Sequence, residues 1–420
     1  MKKNKPANEP AKKSKNPAAY HLTPLLPGNG NIGPLKDMAQ EIIAASAGLE
    51  SKVARETAIV LGDQLRLVNS YYSNLIEGHK TTIPDIDMAL QKKFSQDPEK
   101  KYAQELCAAH VKTEKRFMEL VNTPQKLNIC NQQFLSGIHA AFYANLPEKH
   151  LYTHTPKGFS KAPVNPGQIR DVNVSVDGRS LHGPDYQDLP ALLKTFAQSY
   201  SPDQFHGDER LIAMAASHHR LTWLHPFRDG NGRVARLFSG LYLARIGINK
   251  NNLWSLSRGL SRNKKQYMFE LWATDSPDEQ NGAHYFDDDL LSDFCRFFFE
   301  ICLDQIRFME GLLRLDQIET RIDWYVETRA KHDKKPLRIE SAKLLRAVFM
   351  RGDIPRGMAV EILNMSERNA RRIVSALIED GLLQSQSHRA PLTIGLPIGV
   401  LPYYFPDLYD PSLIGEQHII

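Results

Sequence analysis

A run of twelve residues, HPFRDGNGRVAR from His225 to Arg236, places a histidine, a carboxylate and two arginines close together in the chain. His225 can serve as a general base, because much of a histidine population is neutral at physiological pH. Arg233 and Arg236 are three residues apart, so both side chains can reach one anion from the same face of a helix. These residue types in this order indicate chemistry on a phosphate-bearing substrate.

Two predicted helices position this run. Apolar periodicity predicts a helix over 208–224, which Pro226 stops, and a second helix over 233–246. The turn between them consists of Gly230, Asn231 and Gly232. Unpaired N–H groups and the positive end of the second helix would bind an anion there, and glycine lets phosphate oxygens approach the backbone. Asp229 beside such an anion favours a bridging Mg²⁺ ion, for which it would be the ligand.

A second candidate feature lies upstream, at the end of a helix predicted over 53–76. One face of this helix is apolar and is formed by Leu61, Leu65, Val68, Tyr72 and Leu75. Glu77 follows at the helix C-terminus, where a carboxylate is disfavoured unless a cation pairs with it. Ser73 lies on the same face and can orient that carboxylate. An arginine of the 233–246 helix is the predicted cation.

The run from His225 to Arg236 resembles the signature H-x-F-x-[DE]-G-N-G-R-x-x-R of the Fic family. The resemblance implies transfer of AMP from ATP to a hydroxyl of a protein target, with Mg²⁺ as cofactor and His225 as the base. It also implies that Arg236 takes the γ-phosphate, while Arg233 supports the loop and the β-phosphate. Gly230, Asn231 and Gly232 complete the predicted phosphate-binding set. Whether such an enzyme would also remove AMP is left open.

The segment from Ser73 to Gly78 resembles the family's inhibitory pattern, [ST]-x-x-x-E-[GN]. Because it precedes the catalytic run, the chain resembles class II members, in which an N-terminal helix inhibits in cis. By resemblance, Glu77 pairs with Arg236 and blocks a productive γ-phosphate position. Downstream, Asn263 and Tyr267 partly match a nucleoside-contacting pattern of the family, from which Lys264 and Met268 depart.

A β-hairpin is predicted between the helices, because residues 171–176 alternate polar and apolar side chains and Asp177-Gly178 favours a tight turn. In the Fic family a hairpin flap in this position holds an extended target segment. The alternative is a hairpin that only covers the core. The adjacent His218 and His219 are expected to be structural, because neighbouring histidines on a helix point to different sides.

The fold class expected is mostly α, a Fic-type helical bundle with a hairpin flap and a C-terminal winged helix. Net charge is +5, but six lysines and one glutamate in residues 1–20 supply all of it. Four scattered cysteines without metal-ligand spacing, and the lack of a long apolar stretch, predict a cytoplasmic protein that is not in a membrane. We divide the chain into a disordered Lys-rich tail (1–33), a helical region with the inhibitory helix (34–96), the catalytic domain (97–332), the winged-helix module (333–400) and a C-terminal tail (401–420).

The winged helix is predicted from a helix over 338–350, a helix-turn-helix over 355–380 and two later strand-like stretches. Its second helix offers Arg368, Asn369, Arg371 and Arg372 for phosphates and base edges. Nine basic and six acidic residues between positions 338 and 389 permit DNA binding without requiring it, so DNA and a protein partner, including a second copy in a homodimer, both remain open.

Two functions from different classes therefore remain. The first is an autoinhibited protein adenylyltransferase. The second is a DNA-binding regulator that senses nucleotide without turnover. A base at the attack position is useful only to the first.

Overall fold

The computed structural model describes residues 22–28, 30–153, 162–174, 183–275, 287–333 and 335–408. Over these residues the chain is mostly helical, as the apolar periodicity predicted. The helices before residue 333 are α1 (Ile32–Ser51), α2 (Arg55–Ile76), α3 (Ile83–Leu90), α4 (Pro98–Val121), α5 (Gln132–Ala144), α6 (Leu189–Ser199), α7 (Glu209–Leu224), α8 (Asn231–Arg245), α9 (Leu256–Arg262), α10 (Lys264–Asp275), α11 (Asp288–Leu312) and α12 (Leu315–His332).

Helices α7 and α8 form the centre of the helical body. The side chains of α7 are buried over most of its length, and α8 is almost as deeply enclosed. Around this pair pack α1, α4, α5 and α11, while α2 lies across α4 and α9. A helix that is apolar only on one side would remain at the surface, whereas these two central helices are buried nearly all round. The loop that joins them is therefore held in a rigid frame.

Helix α8 begins two residues earlier than predicted, at Asn231. Gly230 caps it with a φ of 79°, a left-handed conformation that favours glycine. The short helices α3, α9 and α10 were not predicted, because they have too few turns to show a clear period. The four cysteines are free and buried, as expected for core residues.

Both ends of the described chain differ from the tails that we expected. Leu22 is buried, and the buried guanidinium of Arg220 donates from Nε to the Leu22 carbonyl oxygen (3.2 Å) and from Nη2 to that of Pro24 (2.9 Å). A buried cation needs such acceptors, and they can come from any part of the chain. At the other end, residues 401–408 include a short helix, α16 (Leu401–Tyr404), and bury Leu408.

The C-terminal module contains the helices α13 (Ser341–Arg351), α14 (Met358–Leu363) and α15 (Glu367–Glu379) and the strands β1 (Asp353–Ile354), β2 (Leu383–Gln384) and β3 (Leu392–Ile394). The strands form an antiparallel sheet in the order β1–β3–β2, with Asp353 opposite Thr393 and Leu383 opposite Ile394. Asn364, at a φ of 51°, makes the turn between α14 and α15. Strand β1 was not predicted, since two residues carry no alternation.

The predicted hairpin lies partly outside the described residues, because 175–182 are not among them. Residues 171–174 are described and are not in a strand, so the flap stays a prediction. Among the helices that the structure describes, none combines the length and apolar character needed to cross a bilayer.

Candidate active site

His225 lies directly after α7 in a left-handed conformation, with φ 45° and ψ 57°. Residues other than glycine rarely adopt this conformation. Where they do, the surrounding structure holds the backbone in place, and such residues cluster at functional sites. Its Nδ1 lies 3.3 Å from the Thr222 carbonyl oxygen, which can only accept a hydrogen bond. In the neutral ring Nδ1 therefore carries the hydrogen, and Nε2 keeps a lone pair. Burial lowers the pKa of His225, which keeps the ring neutral at physiological pH.

The loop after His225 is closed by the side chain of Asn231. Its Nδ2 donates to the Phe227 carbonyl oxygen (2.8 Å) and its Oδ1 accepts from the Phe227 amide (2.9 Å). The predicted phosphate-binding role of Asn231 is thus limited to its backbone N–H, because both groups of the buried amide are used within the loop. Phe227 is fully buried, and its ring stacks on His139 at 4.1 Å between centroids.

Arg233 is buried beside this loop with unused hydrogen-bonding capacity. Its Nε and Nη1 have no hydrogen-bond partner among the residues that the structure describes. Its guanidinium lies 5.0 Å from the centroid of the Phe142 ring, and its Nη2 is 3.8 Å from an Asp229 carboxylate oxygen. Buried donors without acceptors are rare in proteins, which indicates that an anion belongs here.

Asp229 occupies the mouth of the turn with one carboxylate oxygen engaged. That oxygen accepts from the Gly230 amide at 2.7 Å. No group of three His, Cys, Asp or Glu residues able to hold a metal occurs within the described ranges. A metal at this position would therefore have one protein carboxylate as ligand and would take its other ligands from phosphate and water, as Mg²⁺ commonly does.

The carboxylate of Glu77 reaches the N-terminal end of α8 from the C-terminal end of α2. Its Oε1 lies 2.5 Å from Arg236 Nη2, and a Cβ added at Gly232 would be only 2.6 Å from the same oxygen. Partial burial works to raise the pKa of Glu77, but the charges of Arg236 and Arg233 outweigh it, so the pKa lies below its usual value. The carboxylate is thus ionised at the place where an anion was predicted to bind.

Ser73 completes this contact. Arg236 donates from Nε to the Ser73 hydroxyl (2.9 Å) and from Nη2 to the Ser73 carbonyl oxygen (3.0 Å). Arg236 is buried, and its partners bring together parts of the chain 159 and 163 positions apart. The structure therefore joins the two motifs that the sequence analysis placed together.

The end of α2 is further stabilised by two features. Gly78 adopts a φ of 91°, and the His79 amide donates to the Asn74 carbonyl oxygen at 3.0 Å, which terminates the helix. Lys264 donates from Nζ to the Ile76 carbonyl oxygen at 2.5 Å. The lysine that departs from the family's nucleoside pattern thus contacts the last turn of the helix that carries Glu77.

The two residues expected near the nucleoside are not brought together at an open surface. Tyr267 is buried, and its hydroxyl lies 2.8 Å from His218 Nε2. Asn263 is exposed and donates from Nδ2 to the Gly259 carbonyl oxygen one turn earlier (3.0 Å). His218 also lies 2.8 Å from the Ser239 hydroxyl, so it is a core residue, as expected.

Arg170 was not singled out by the sequence analysis. The side chain is buried and donates from Nε to the His225 carbonyl oxygen (2.8 Å). It also donates to the carbonyl oxygens of Val172 (3.0 Å) and Pro184 (2.5 Å), which lie on either side of the 175–182 gap. Arg170 therefore ties the His225 backbone to both described ends of the predicted flap. A single buried arginine leaves no periodic signal in the sequence.

His139 on α5 was also missed. The Gly167 amide donates to its Nδ1 (2.8 Å), so its Nε2 carries the hydrogen and donates to the Asp229 carbonyl oxygen (3.2 Å). Burial lowers the pKa of His139 to about 4, which keeps the ring neutral in this role. A single histidine in an apolar helix gives no sequence signal for such a contact.

Comparison with known proteins identifies the domain that holds this site. The model of the Fic/DOC family matches residues 129–243, which include α7, the loop and most of α8. Residues 129–243 therefore form a Fic/DOC family domain. A crystal structure of a Fic domain containing signaling protein from Bacteroides thetaiotaomicron has the same fold, with a TM-score of 0.50 at 16% identity over 65% of this chain and 95% of that chain.

Curated proteins that resemble this domain carry the name protein adenylyltransferase Fic. Those of Drosophila grimshawi and Culex quinquefasciatus are 34% and 35% identical over 85 residues, which is 20% of this chain and 17% of each relative. The chain thus aligns with less than a fifth of the length of these relatives. The 85 aligned residues support the assignment of the domain. For the rest of the chain, roles are argued from the contacts that the structure shows.

Replacing Asn231 by alanine tests its part in the loop of this Fic domain. Asn231→Ala leaves the buried Phe227 amide and carbonyl unpaired, so we expect the free energy of unfolding to fall by about 1–3 kcal/mol. Urea unfolding monitored by circular dichroism measures this loss. Asn263→Ala, which removes an exposed amide, is the matched control and should change stability by less than about 0.5 kcal/mol. Unchanged stability of Asn231→Ala would show that the loop does not depend on this clamp.

Proposed function

We propose that the protein is a protein adenylyltransferase that transfers AMP from ATP to a hydroxyl side chain of a protein, itself included. The observation that carries this proposal is the neutral His225, whose Nε2 keeps a lone pair beside the anion-binding end of α8. The name shared by the curated relatives supports the same reaction. A site that only sensed nucleotide would have no use for this base.

In the proposed reaction the oxygen of the target hydroxyl attacks the α-phosphorus of ATP. The bond from that phosphorus to the oxygen bridging to the β-phosphate breaks, and pyrophosphate leaves. His225 Nε2 takes the hydroxyl proton. Arg170, through its hydrogen bond to the His225 carbonyl oxygen, fixes the backbone from which the imidazole projects.

The phosphates would be held by Arg233, by Arg236 and by the backbone amides of Asn231 and Gly232, whereas the Gly230 amide already donates to Asp229. Arg233 offers the two buried N–H groups that lack acceptors among the described residues. Backbone amides at the start of α8 add donors with the favourable end of the helix dipole. Such contacts align the α-phosphorus with the attacking oxygen, which accounts for much of the rate in reactions of this kind.

Asp229 is the proposed Mg²⁺ ligand. Its carboxylate is partly exposed at the mouth of the turn, and one oxygen is held by the Gly230 amide, which leaves the other for a cation. Bound there with the phosphates, Mg²⁺ would neutralise charge on the triphosphate and its leaving group. The residues present fit a metal of this type.

Glu77 and Ser73 are the proposed inhibitory residues. Arg236 is buried and already engaged by the Glu77 carboxylate and by both oxygens of Ser73. A terminal phosphate that needs Arg236 would therefore compete with Glu77 for the same donors. ATP could still bind with its other phosphates, but its α-phosphorus would be displaced from the line of attack.

Further proposed assignments concern the nucleoside, the cellular compartment and assembly. Asn263 is exposed near the end of α2 and can contact a nucleoside, whereas Tyr267 would first have to leave its buried place. Four free thiols suit a cytoplasmic protein. Homodimer formation and removal of AMP are retained from the family resemblance alone.

DNA binding by the C-terminal module is a second candidate function. The solvent face of α15 carries three exposed arginines, Arg368, Arg371 and Arg372, and Arg389 is exposed between β2 and β3. The order of helices and strands suits a winged helix that presents α15 to a major groove. DNA binding would bring the enzyme to DNA and would leave the proposed reaction unchanged.

Label transfer from ATP carrying ³²P at the α-phosphate tests the proposed reaction. Glu77→Gly frees Arg236 for the terminal phosphate, and since a displacement of about 1 Å can cost on the order of a hundredfold in rate, labelling should rise by at least about that factor. Glu77→Gly combined with His225→Ala should not label, because the base is lost. Arg236→Ala alone should not mimic the activation, since it removes the phosphate contact together with the inhibition.

Two results would contradict parts of this proposal. Equal labelling by the wild type and Glu77→Gly, at matched concentration and oligomeric state, would refute inhibition by Glu77. Undiminished labelling by the His225→Ala double variant would refute the role of the base.

Electrophoretic shift of duplex DNA at several salt concentrations tests the second candidate. If α15 contacts phosphates, Arg371→Ala with Arg372→Ala should reduce the slope of log affinity against log salt by about two. Arg296→Ala with Arg307→Ala removes the same charge from exposed positions on α11 and should leave the slope unchanged. Absence of a shift even at low salt would exclude DNA and favour protein docking.

A further inference from the structure

The C-terminal module packs directly against the first turn of α2. The Thr57 hydroxyl, fully buried, donates to the Phe349 carbonyl oxygen in α13 at 2.9 Å. Gly352, at a φ of 85°, follows α13, and a Cβ at this position would be 2.6 Å from Glu56 Oε2 and 2.9 Å from Ala54 Cβ. The two surfaces are therefore fitted closely enough that an added methyl group would not be accommodated.

The first turn of α2 has no side-chain cap of its own. Its N-cap residue is Ala54, whose side chain cannot accept a hydrogen bond from the unpaired amides of the helix start. Alanine is among the poorest residues at this position, where serine, threonine, aspartate or asparagine would stabilise the helix by themselves. The hydrogen bond from Thr57 to Phe349 thus ties to the module a helix start that has no side-chain cap.

The same helix carries the inhibitory carboxylate at its other end. Helix α2 contains 22 residues, so at 1.5 Å per residue it extends for roughly 33 Å. Between its ends α2 makes two close contacts with its neighbours. At Gly62 an added Cβ would overlap the Asn251 carbonyl oxygen, and Asn69 donates from Nδ2 to a Glu114 carboxylate oxygen at 2.8 Å. One continuous helix therefore connects the module contact at Thr57 with Ser73 and Glu77.

We propose that the C-terminal module sets the strength of autoinhibition by holding the N-terminal end of α2. With the module seated, α2 keeps Glu77 on Arg236; when the module shifts, α2 loosens and the inhibitory contact is weakened. The control surface is the interface of Ala54, Glu56 and Thr57 with Phe349 and Gly352. This inference rests on the proposed adenylyltransferase activity. It means that this activity is regulated from a surface outside the active site.

Two variants of the full chain test the coupling. Thr57→Val removes the hydrogen bond to Phe349, and Gly352→Ala forces a methyl group against Ala54 and Glu56. Since one or two kcal/mol changes a two-state ratio by roughly 5- to 30-fold, each should raise AMP transfer by about fivefold or more. Neither should raise it further in the Glu77→Gly background, where no inhibitory carboxylate remains. Thr57→Ser keeps the hydroxyl and should retain inhibition.

Thr274→Val is the matched control, because Thr274 is a buried threonine whose hydroxyl donates to carbonyl oxygens of Glu270 in α10 and Leu290 in α11, which lie outside the module. It should leave AMP transfer unchanged. Hydrogen exchange supplies a readout that does not require activity: amides of residues 73–79 should exchange faster in Thr57→Val than in wild type or Thr274→Val.

The outcomes separate the coupling from the reaction. Two results, each with AMP transfer by Glu77→Gly, would overturn the coupling and leave the proposed reaction standing. In the first, Thr57→Val and Gly352→Ala transfer AMP at the wild-type rate. In the second, these two variants raise AMP transfer equally with and without Glu77. If Glu77→Gly transfers no AMP, the proposed reaction fails, and the exchange rates at 73–79 alone decide the coupling. Unchanged exchange there overturns it.

Discussion

The buried guanidinium of Arg236 is the constraint on which the site depends. A cation removed from water must be paired and hydrogen-bonded, and leaving it unpaired costs about 3–5 kcal/mol. In this structure Glu77 and Ser73 supply the partners, and they do so from the end of a different helix. An anion that binds Arg236 has to share or replace them. In the proposed function, inhibition and phosphate binding are therefore two uses of one charge.

This view explains why the surroundings of α8 are so rigid. Asn231 closes the loop on Phe227, His139 holds the Asp229 carbonyl oxygen, and Arg170 holds that of His225. Each contact uses a side chain that chemistry at phosphorus does not itself require. Their combined effect is to fix a base, a carboxylate and two arginines at separations that a flexible loop could not maintain.

Much of the fold could be predicted because helices leave a local record in the sequence. The helix predicted over 53–76 is observed as Arg55–Ile76, and α7 began within one residue of its predicted start. The roles of the residues from His225 to Arg236 could be predicted for the same reason, since their spacing places both arginines on the first turns of α8. Glu77 was found because Ser73–Gly78 resembles the family's inhibitory pattern, and its place at a helix C-terminus, where a carboxylate requires a cation, supported that interpretation.

What could not be predicted depends on partners distant in the chain. Arg220 reaches Leu22 across 198 positions, and Thr57 reaches Phe349 across 292. Such hydrogen bonds impose no period on the sequence. Tyr267 matched a nucleoside pattern by type, yet the fold buries its hydroxyl on His218. Residue type and spacing therefore predicted the loop well and the roles of its more distant neighbours poorly.

The claim that Glu77 occupies the place of the terminal phosphate on Arg236 is tested most directly by comparing ATP and ADP binding. Isothermal titration calorimetry of both nucleotides with wild type and Glu77→Gly, each in Mg²⁺, gives two affinity ratios. The account predicts nearly equal ATP and ADP affinities in wild type. It predicts a clear preference for ATP in Glu77→Gly, on the order of tenfold or more for one charge-assisted contact. The same ratio in both proteins would contradict it.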